Sequence, residues 1–440
     1  MRNQADMSTD LLPTHYYRLP WTLTDNVLGW LEPTKRCNLR CEGCYSRNEP
    51  NRDKSLSEIR ADLDLVTRHR RIDSVSIAGG DPLVHPEVVE IVRIVRQEYG
   101  LKPIVNTHGH ALTAELVGRL KLAGCHGFTF HIDSSQHRPG RGRAHSEEEL
   151  NELREHYARL VAAEGGMTVN FNSTVLPETL SSVPRLWDWA LEHADIVQGM
   201  VFILFRTTRP KEFDYFAQGR EVNPSDLIYY DQQHNPEPAT AHRVVAELRR
   251  TDPSFEPAAY LGGTHDPNTF KWLLATRVVS RGKQYGYLGS RAMELTQTSH
   301  HLLRGRYVAY AEPRELRLGR LAMLGFSPFD AAARKTTRHY VRSVLRRPLS
   351  VREPVLLQSM AIIQPIDMLA DGSMNMCDGC PDITVHNGEL VWSCRLDERL
   401  RFGCFLTAAP KPTVAAAART VPESGIPEAH ERAARRSKAS

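Results

Sequence analysis

The chain has 440 residues, 41% hydrophobic and 25% charged, with a formal net charge of +4, the composition of a soluble globular protein with room for one large α/β domain and a smaller attachment. No apolar run approaches the roughly 20 residues of a membrane helix. The polar stretch from Met1 to Asp10 lacks a charged-then-apolar export pattern, so a cytoplasmic location with no transmembrane segment is expected.

Short apolar runs alternate with amphipathic segments over residues 27–206, which predicts repeated βα units. Residues 27–31 read as a first strand that stops just before a cysteine-bearing loop. Ile59, Leu63 and Val66 share one face of a helix over 57–68. A second strand, 74–78, is stopped by Gly79-Gly80-Asp81-Pro82, and a helix over 86–99 follows with proline in its first turn. Strands three to six fall at 103–107, 127–132, 168–175 and 197–205, with helices at 114–123, 146–163 and 183–193 between them. Ser146 and Glu149 have capping-box spacing. Six such units predict a partial barrel or an open parallel sheet.

The rhythm is lost over 207–359, where mainly helical segments are expected at 241–250, 270–279, 291–304 and 331–345. Between His301 and Arg352 twelve basic residues stand against three acidic ones. A solvated helical face accounts for this excess, and an anionic substrate, a phospholipid surface or nucleic acid is the alternative. From Ala408 onward Ala, Pro, Arg and Ser predict a disordered tail.

Of the eight cysteines, Cys37, Cys41 and Cys44 form one group and Cys377, Cys380, Cys394 and Cys404 another, while Cys125 reads as a small buried hydrophobe. Clustering without an export pattern points to metal ligands rather than disulfides. Three thiolates on one loop suit a 4Fe–4S cluster whose fourth iron stays free for an external ligand. Structural zinc takes four protein ligands, and this loop has no nearby histidine.

Cys37-Asn-Leu-Arg-Cys41-Glu-Gly-Cys44 resembles the CxxxCxxC signature of radical S-adenosylmethionine (radical SAM) enzymes. That resemblance implies an α/β fold with a partial (β/α)6 TIM-type barrel, and a 4Fe–4S cluster on these three cysteines with SAM bound at the open iron. It further implies reductive cleavage of SAM to a 5′-deoxyadenosyl radical, with electrons from a donor such as flavodoxin or ferredoxin. Where the family often has an aromatic residue before the third cysteine, this chain has Gly43, with Tyr45 directly after. Gly79-Gly80-Asp81-Pro82 resembles the family's GGEP motif, whose backbone and acidic residue contact the SAM amino group; an ordinary βα turn is the alternative. Asn106-Thr107-His108-Gly109 loosely resembles a Thr-Asn-Gly turn, and His131-Ile132-Asp133-Ser134 resembles a segment near the SAM ribose or carboxylate. Asn106, Asp133, Ser134 and Asn172 are therefore candidate SAM-binding residues at strand ends, where barrel active sites gather. No side chain is assigned as catalytic.

Asn387-Gly388 predicts a hairpin that folds Cys394 back toward Cys377 and Cys380, with Cys404 as a fourth ligand. This is similar to the SPASM or twitch extensions of radical SAM enzymes and implies a second Fe–S cluster, with zinc or mononuclear iron as the alternative. The expected divisions are an N-terminal extension (1–26), the radical SAM core (27–206), a helical insertion or substrate-binding region (207–359), a small cysteine-rich module (360–407) and a tail (408–440). The expected function is hydrogen abstraction from an unidentified peptide or small metabolite. Carbon–carbon bond formation or methylation on an apolar or lipid-like substrate is the alternative chemistry, and a zinc-binding adaptor the non-catalytic one.

Overall fold

The computed structural model describes residues 11–41, 44–140, 146–206, 208–230 and 239–412. Strands β1 (Leu28–Thr34), β2 (Ser74–Gly79), β3 (Lys102–Thr107), β4 (Gly127–His131), β5 (Thr168–Val175) and β6 (Gly199–Leu204) lie side by side in chain order, all parallel. Helices α1 (Leu56–His69), α2 (Val88–Arg93, prolonged by a π turn), α3 (Ala114–Ala123), α4 (Asn151–Glu164) and α5 (Val183–Glu192) make the crossovers.

The period of two along each strand separates two faces. Val75 and Ile77, Phe128 and Phe130, and Val169 and Phe171 pack with the helices in the main core. Ser76, Asn106, Thr129, His131, Asn172 and Thr174 occupy the alternate positions and give the opposite face its polar character. One face of the sheet thus drives folding, and the other is left for chemistry.

Past β6 the sheet continues through β7 (Ala259–Leu261), β8 (Trp272–Ser280), β9 (Lys283–Leu288) and β10 (Leu356–Ile363). β10 runs parallel to β6, β8 antiparallel to β10, and Tyr17–Arg18 forms the far edge beside β7, giving 11 strands in all. The edges at Tyr17–Arg18 and β1 are not hydrogen-bonded to each other. Leu19, Trp21, Cys377, Cys380 and Ile383 fill the seam, packed with Leu28 of β1 and Leu261 of β7. The barrel is therefore partial, sealed by side chains at its seam.

The helix expected over 270–279 is instead strand β8. Leu273, Ala275 and Arg277 are buried while Trp272, Leu274 and Thr276 are half-buried, a strand period, and Thr276, Val278 and Val279 are β-branched. An apolar run this short does not separate the two periods. The other expected helices do form, as α6 (Ala241–Thr251), α7 (Ser290–Arg304) and α9 (Ala331–Arg346), with α8 (Gly319–Phe326) added where none was expected, so residues 207–359 are mixed α/β rather than mainly helical.

Residues 360–407 are also not a separate module, because β10 belongs to the main sheet and Cys377, Cys380 and Ile383 share a core with β1 and β7. The hairpin does form between Ile383–His386 and Glu389–Trp392, with Asn387 (φ 50°) and Gly388 (φ 75°) at its turn. Thr407–Pro410 pairs with Phe213–Ala217, so the expected tail begins later than Ala408; from residue 413 it lies outside the described residues. No helix among the described residues is long and apolar enough to cross a membrane.

Candidate functional site

The chain leaves β1 at Thr34 and enters the loop bearing Cys37, Cys41 and Cys44, which is held from three sides. Thr34 Oγ1 donates to Asp53 (2.5 Å), and Arg36 grips both Asp53 oxygens (2.9 and 2.6 Å) and the Val84 carbonyl (2.6 Å). From β2, Gly80 N–H donates to Thr34 O and Asp81 N–H to Arg36 O, both at 2.8 Å. That approach requires both glycines. A Cβ on Gly79 (φ +102°) would lie 2.3 Å from Thr34 O, and one on Gly80 2.0 Å from Arg36 O. On the third side, Arg40–Cys41 forms an antiparallel ladder with Gln136–His137.

Tyr45 locks the loop to β2. Its hydroxyl accepts from Gly79 N–H (2.9 Å) and Trp30 Nε1 (3.1 Å) and donates to Gly79 O (3.1 Å), which uses the full capacity of a phenol.

Polar groups gather where the strands end. The buried Asp81 carboxylate accepts from Leu83 N–H (2.9 Å), Thr107 Oγ1 (2.6 Å) and His108 N–H (3.0 Å). Burial alone would raise this carboxyl, but the His108 imidazole, whose Nε2 lies 3.0 Å away, and then Thr107 and Leu83 N–H bring it below its ordinary value. Asp81 thus clamps β2 to β3, its oxygens turned into the protein. Asp133 does the same for β4 and β5, meeting His131 Nε2 (2.7 Å) and Thr174 N–H (3.0 Å). Burial opposes its ionisation, but His131, Ser135 and Thr174 N–H together outweigh that and hold the carboxyl well below the usual range. Ser134 N–H donates to Glu147 (2.7 Å), which pairs with Arg154 at 2.6 Å, both side chains buried. Pro82 begins a short 3-10 turn. Asn106 reaches Ser76 Oγ at 3.4 Å, and the buried Asn172 Oδ1 has no hydrogen-bond partner among the described residues.

Cys41 senses both Cys37 and Cys44, and Cys37 senses Cys44, so the three thiols lie within electrostatic reach of one another. Burial raises all three, Cys37 to about 11. Arg206, just past β6, went unnamed in the sequence reading, which finds no motif on the sixth strand. The residue is 9% exposed and its guanidinium lies 4.1 Å over the Tyr229 ring, yet Nη1 and Nη2 have no hydrogen-bond partner among the described residues. It acts electrostatically on both Cys44 and Cys394. A buried, unsatisfied guanidinium calls for an anion.

Compared with protein families, residues 31–190 match the radical SAM superfamily. The matched stretch runs from β1 into α5 and includes Cys37, Cys41 and Cys44. An AdoMet-dependent heme synthase from Methanosarcina barkeri is 27% identical over 213 residues, covering 47% of this chain and 56% of that protein. GTP 3′,8-cyclase 1 from Mycobacterium tuberculosis is 33% identical over 150 residues, covering 32% and 41%. The chain thus spans about half or less of the length of these curated relatives. Among solved structures, Streptococcus suis SuiB bound to S-adenosylmethionine is 15% identical with a TM-score of 0.33, covering 43% of this chain and 42% of that one.

Reductive cleavage of SAM at a 4Fe–4S cluster is the superfamily's defining chemistry. The residues here fit such a group: three thiols share one loop of the matched stretch, with Lys35 and, from beyond that stretch, Arg206 acting on Cys44 and Arg138 on Cys41 as cations beside an anionic centre. Among the described residues no three His, Cys, Asp or Glu side chains converge on a single-ion position. A cubane differs in that each thiolate binds a different iron.

Beyond the matched stretch, Cys380 shares a hydrogen bond with Cys377 and senses Cys394. That bond and then burial raise Cys380 well above its ordinary value, and burial raises Cys394 to about 11. Cys404 follows α10 (Leu396–Phe402). Arg47, shortly after Cys44, pairs with Asp397 of α10 at 3.0 Å and ties the two regions together.

Proposed function

We propose that this chain cleaves SAM reductively at a 4Fe–4S cluster held by Cys37, Cys41 and Cys44, and directs the resulting 5′-deoxyadenosyl radical to a substrate C–H bond. The three-sided fixing of the cysteine loop within a domain matched to the radical SAM superfamily carries this reading. When bound, the cluster supplies the electron and an open iron for the amino acid end of SAM. In this reading Gly79, Gly80 and Pro82 shape the bed for that end, and Asn106 and Asn172 offer carboxamides. Asp133 and Ser134 order the loop near the ribose, with Asp81 a positioning residue.

The same reading divides the chain into a core (27–206), an insertion (207–359) and a cysteine-bearing region (360–407), and gives it a cytoplasmic location. Cys377, Cys380 and Cys394, completed by Cys404, hold a second Fe–S cluster, with zinc or mononuclear iron as alternatives. A flavodoxin- or ferredoxin-type donor would meet the cleft of about 620 Å³ beside Cys37, where Arg36 and Arg40 stand. The substrate is a peptide or small metabolite. A second reading, carbon–carbon bond formation or methylation on an apolar or lipid-like substrate, is favoured by a cavity of about 250 Å³ lined by Trp21, Trp272, Leu274, Met293, Phe326 and Leu357.

Anaerobic reconstitution with iron and sulfide should give a brown protein that forms 5′-deoxyadenosine from SAM and dithionite. Cys37→Ala, Cys41→Ala and Cys44→Ala should each stop that reaction, whereas Cys377→Ala and Cys380→Ala should retain SAM cleavage and lose coupling to product. A colourless, zinc-loaded protein that forms no 5′-deoxyadenosine would rule the reading out in favour of a zinc-binding adaptor.

A further inference from the structure

The surface built by α8, α9 and the 3-10 turn Pro348–Arg352 combines exposed apolar side chains with unpaired positive charge. Eleven of the fourteen large hydrophobic side chains exposed among the described residues fall between Leu295 and Val351. Leu321 is 65% exposed, Phe329 66%, Leu345 76% and Leu349 75%. Single exposed leucines are ordinary, but a concentration of them marks a contact surface.

The same stretch carries the local basic excess, and its three acids are satisfied internally. Asp330 is buried and accepts from the N–H groups of Gly289, Ala292 and Ala333, and Glu312 and Glu315 close a capping box. Nearby ion pairs, Arg281–Glu353 and Arg291–Glu294, leave Arg338, Arg342, Arg346 and Arg347 without a carboxylate partner among the described residues.

These elements pack against one another. Met323 of α8 packs with Ala333 and Tyr340 of α9. Arg320 crosses the Tyr340 ring (5.7 Å) to reach the carbonyls of Val351 (2.5 Å) and Glu353 (2.9 Å). On α9 the buried side is Ala333, Thr336, Tyr340 and Ser343. Arg334, Arg338, Val341, Arg342 and Leu345 recur at helical spacing on the exposed side.

We propose that this face docks on an anionic phospholipid bilayer, with Leu321, Phe329, Leu345 and Leu349 entering the headgroup boundary and the arginines meeting headgroup phosphates. Charge complementarity selects this occupant. A second copy would press one basic field against another. The core of a protein interface is depleted of charge, whereas basic and apolar residues here alternate along one helix. Nucleic acid would engage the arginines but gain nothing from exposed leucines. The inference uses no residue of the cysteine site and stands apart from the radical SAM reading.

The full chain, mixed at low salt with vesicles of equal parts phosphatidylglycerol and phosphatidylcholine, should sediment with them and stay in solution with phosphatidylcholine alone. R342E/R346E should lower partitioning at least about tenfold. L321S/L345S, which leaves the charge unchanged and alters only exposed side chains, should also weaken it without changing the circular dichroism spectrum. Undiminished binding by L321S/L345S would overturn the insertion and reduce the contact to charge alone. Failure of the unaltered chain to sediment with anionic vesicles, or equal sedimentation with neutral ones, would overturn the docking surface and assign the face to an acidic protein partner or to solvent.

Discussion

Gly80 positions the cysteine loop by what it lacks. An alanine there would set a carbon 2.0 Å from Arg36 O, a contact only backbone movement relieves. G80A should therefore cost about 1–3 kcal/mol, as overpacked sites do, read as a lower urea midpoint, and iron retained per chain after reconstitution should fall with it. Gly325, where an added Cβ meets nothing within 4 Å, gives the control: G325A should leave iron content unchanged. Asp133 supplies a pH signature. Its carboxyl is depressed in the folded state, so its contribution is present above the unfolded value of about 4 and is lost as pH falls below that value toward the lower folded one. The urea midpoint should drop through that acid range in the unaltered chain. D133N should start lower at neutral pH and follow a shallower acid limb; parallel limbs would mean that another carboxylate governs.

Among the elements, legibility followed locality. The bounds of α3 can be read because Thr113 caps Leu116 N–H and Gly124 ends the helix, signals that lie beside the element itself. The cysteine groups can be read for the same reason, as spacings within one loop. β8 was not readable, since its partners β9 and β10 decide its conformation and β10 is distant in the chain. The inward turn of Asp81 depends on His108 arriving from the end of β3, and the burial of Arg206 depends on Tyr229; no local pattern records either. Glu147 and Arg154 belong to this hidden class, a buried pair under the β4–α4 connection, where Arg154 also donates to Ile132 O at 2.8 Å. Arg154→Leu strands the Glu147 charge and should cost about 3–5 kcal/mol, while E147L/R154L should recover part of that loss. Urea melts of the two variants distinguish the cost of an unpaired charge from that of lost packing.

Over the whole molecule, the C-terminal segment fills the seam of the sheet and α10 is tied to Arg47, shortly after Cys44. Arg206 acts electrostatically on Cys44 and Cys394, and its guanidinium lies over the Tyr229 ring with no hydrogen-bond partner among the described residues. Such a charge costs free energy, so Arg206→Leu should stabilise the metal-free protein or leave it unchanged. Once thiolate-bound clusters bring negative charge to the Cys44 side, the same guanidinium becomes favourable, and its loss should destabilise the loaded protein by about 1–3 kcal/mol. Arg206→Lys keeps the charge and should recover part of that stability. The sign of the substitution's effect therefore reverses with loading, a signature that simple packing does not produce. Urea midpoints of both variants, measured with and without reconstitution, read it directly; an effect of one sign in both states would show that Arg206 serves the fold rather than the clusters.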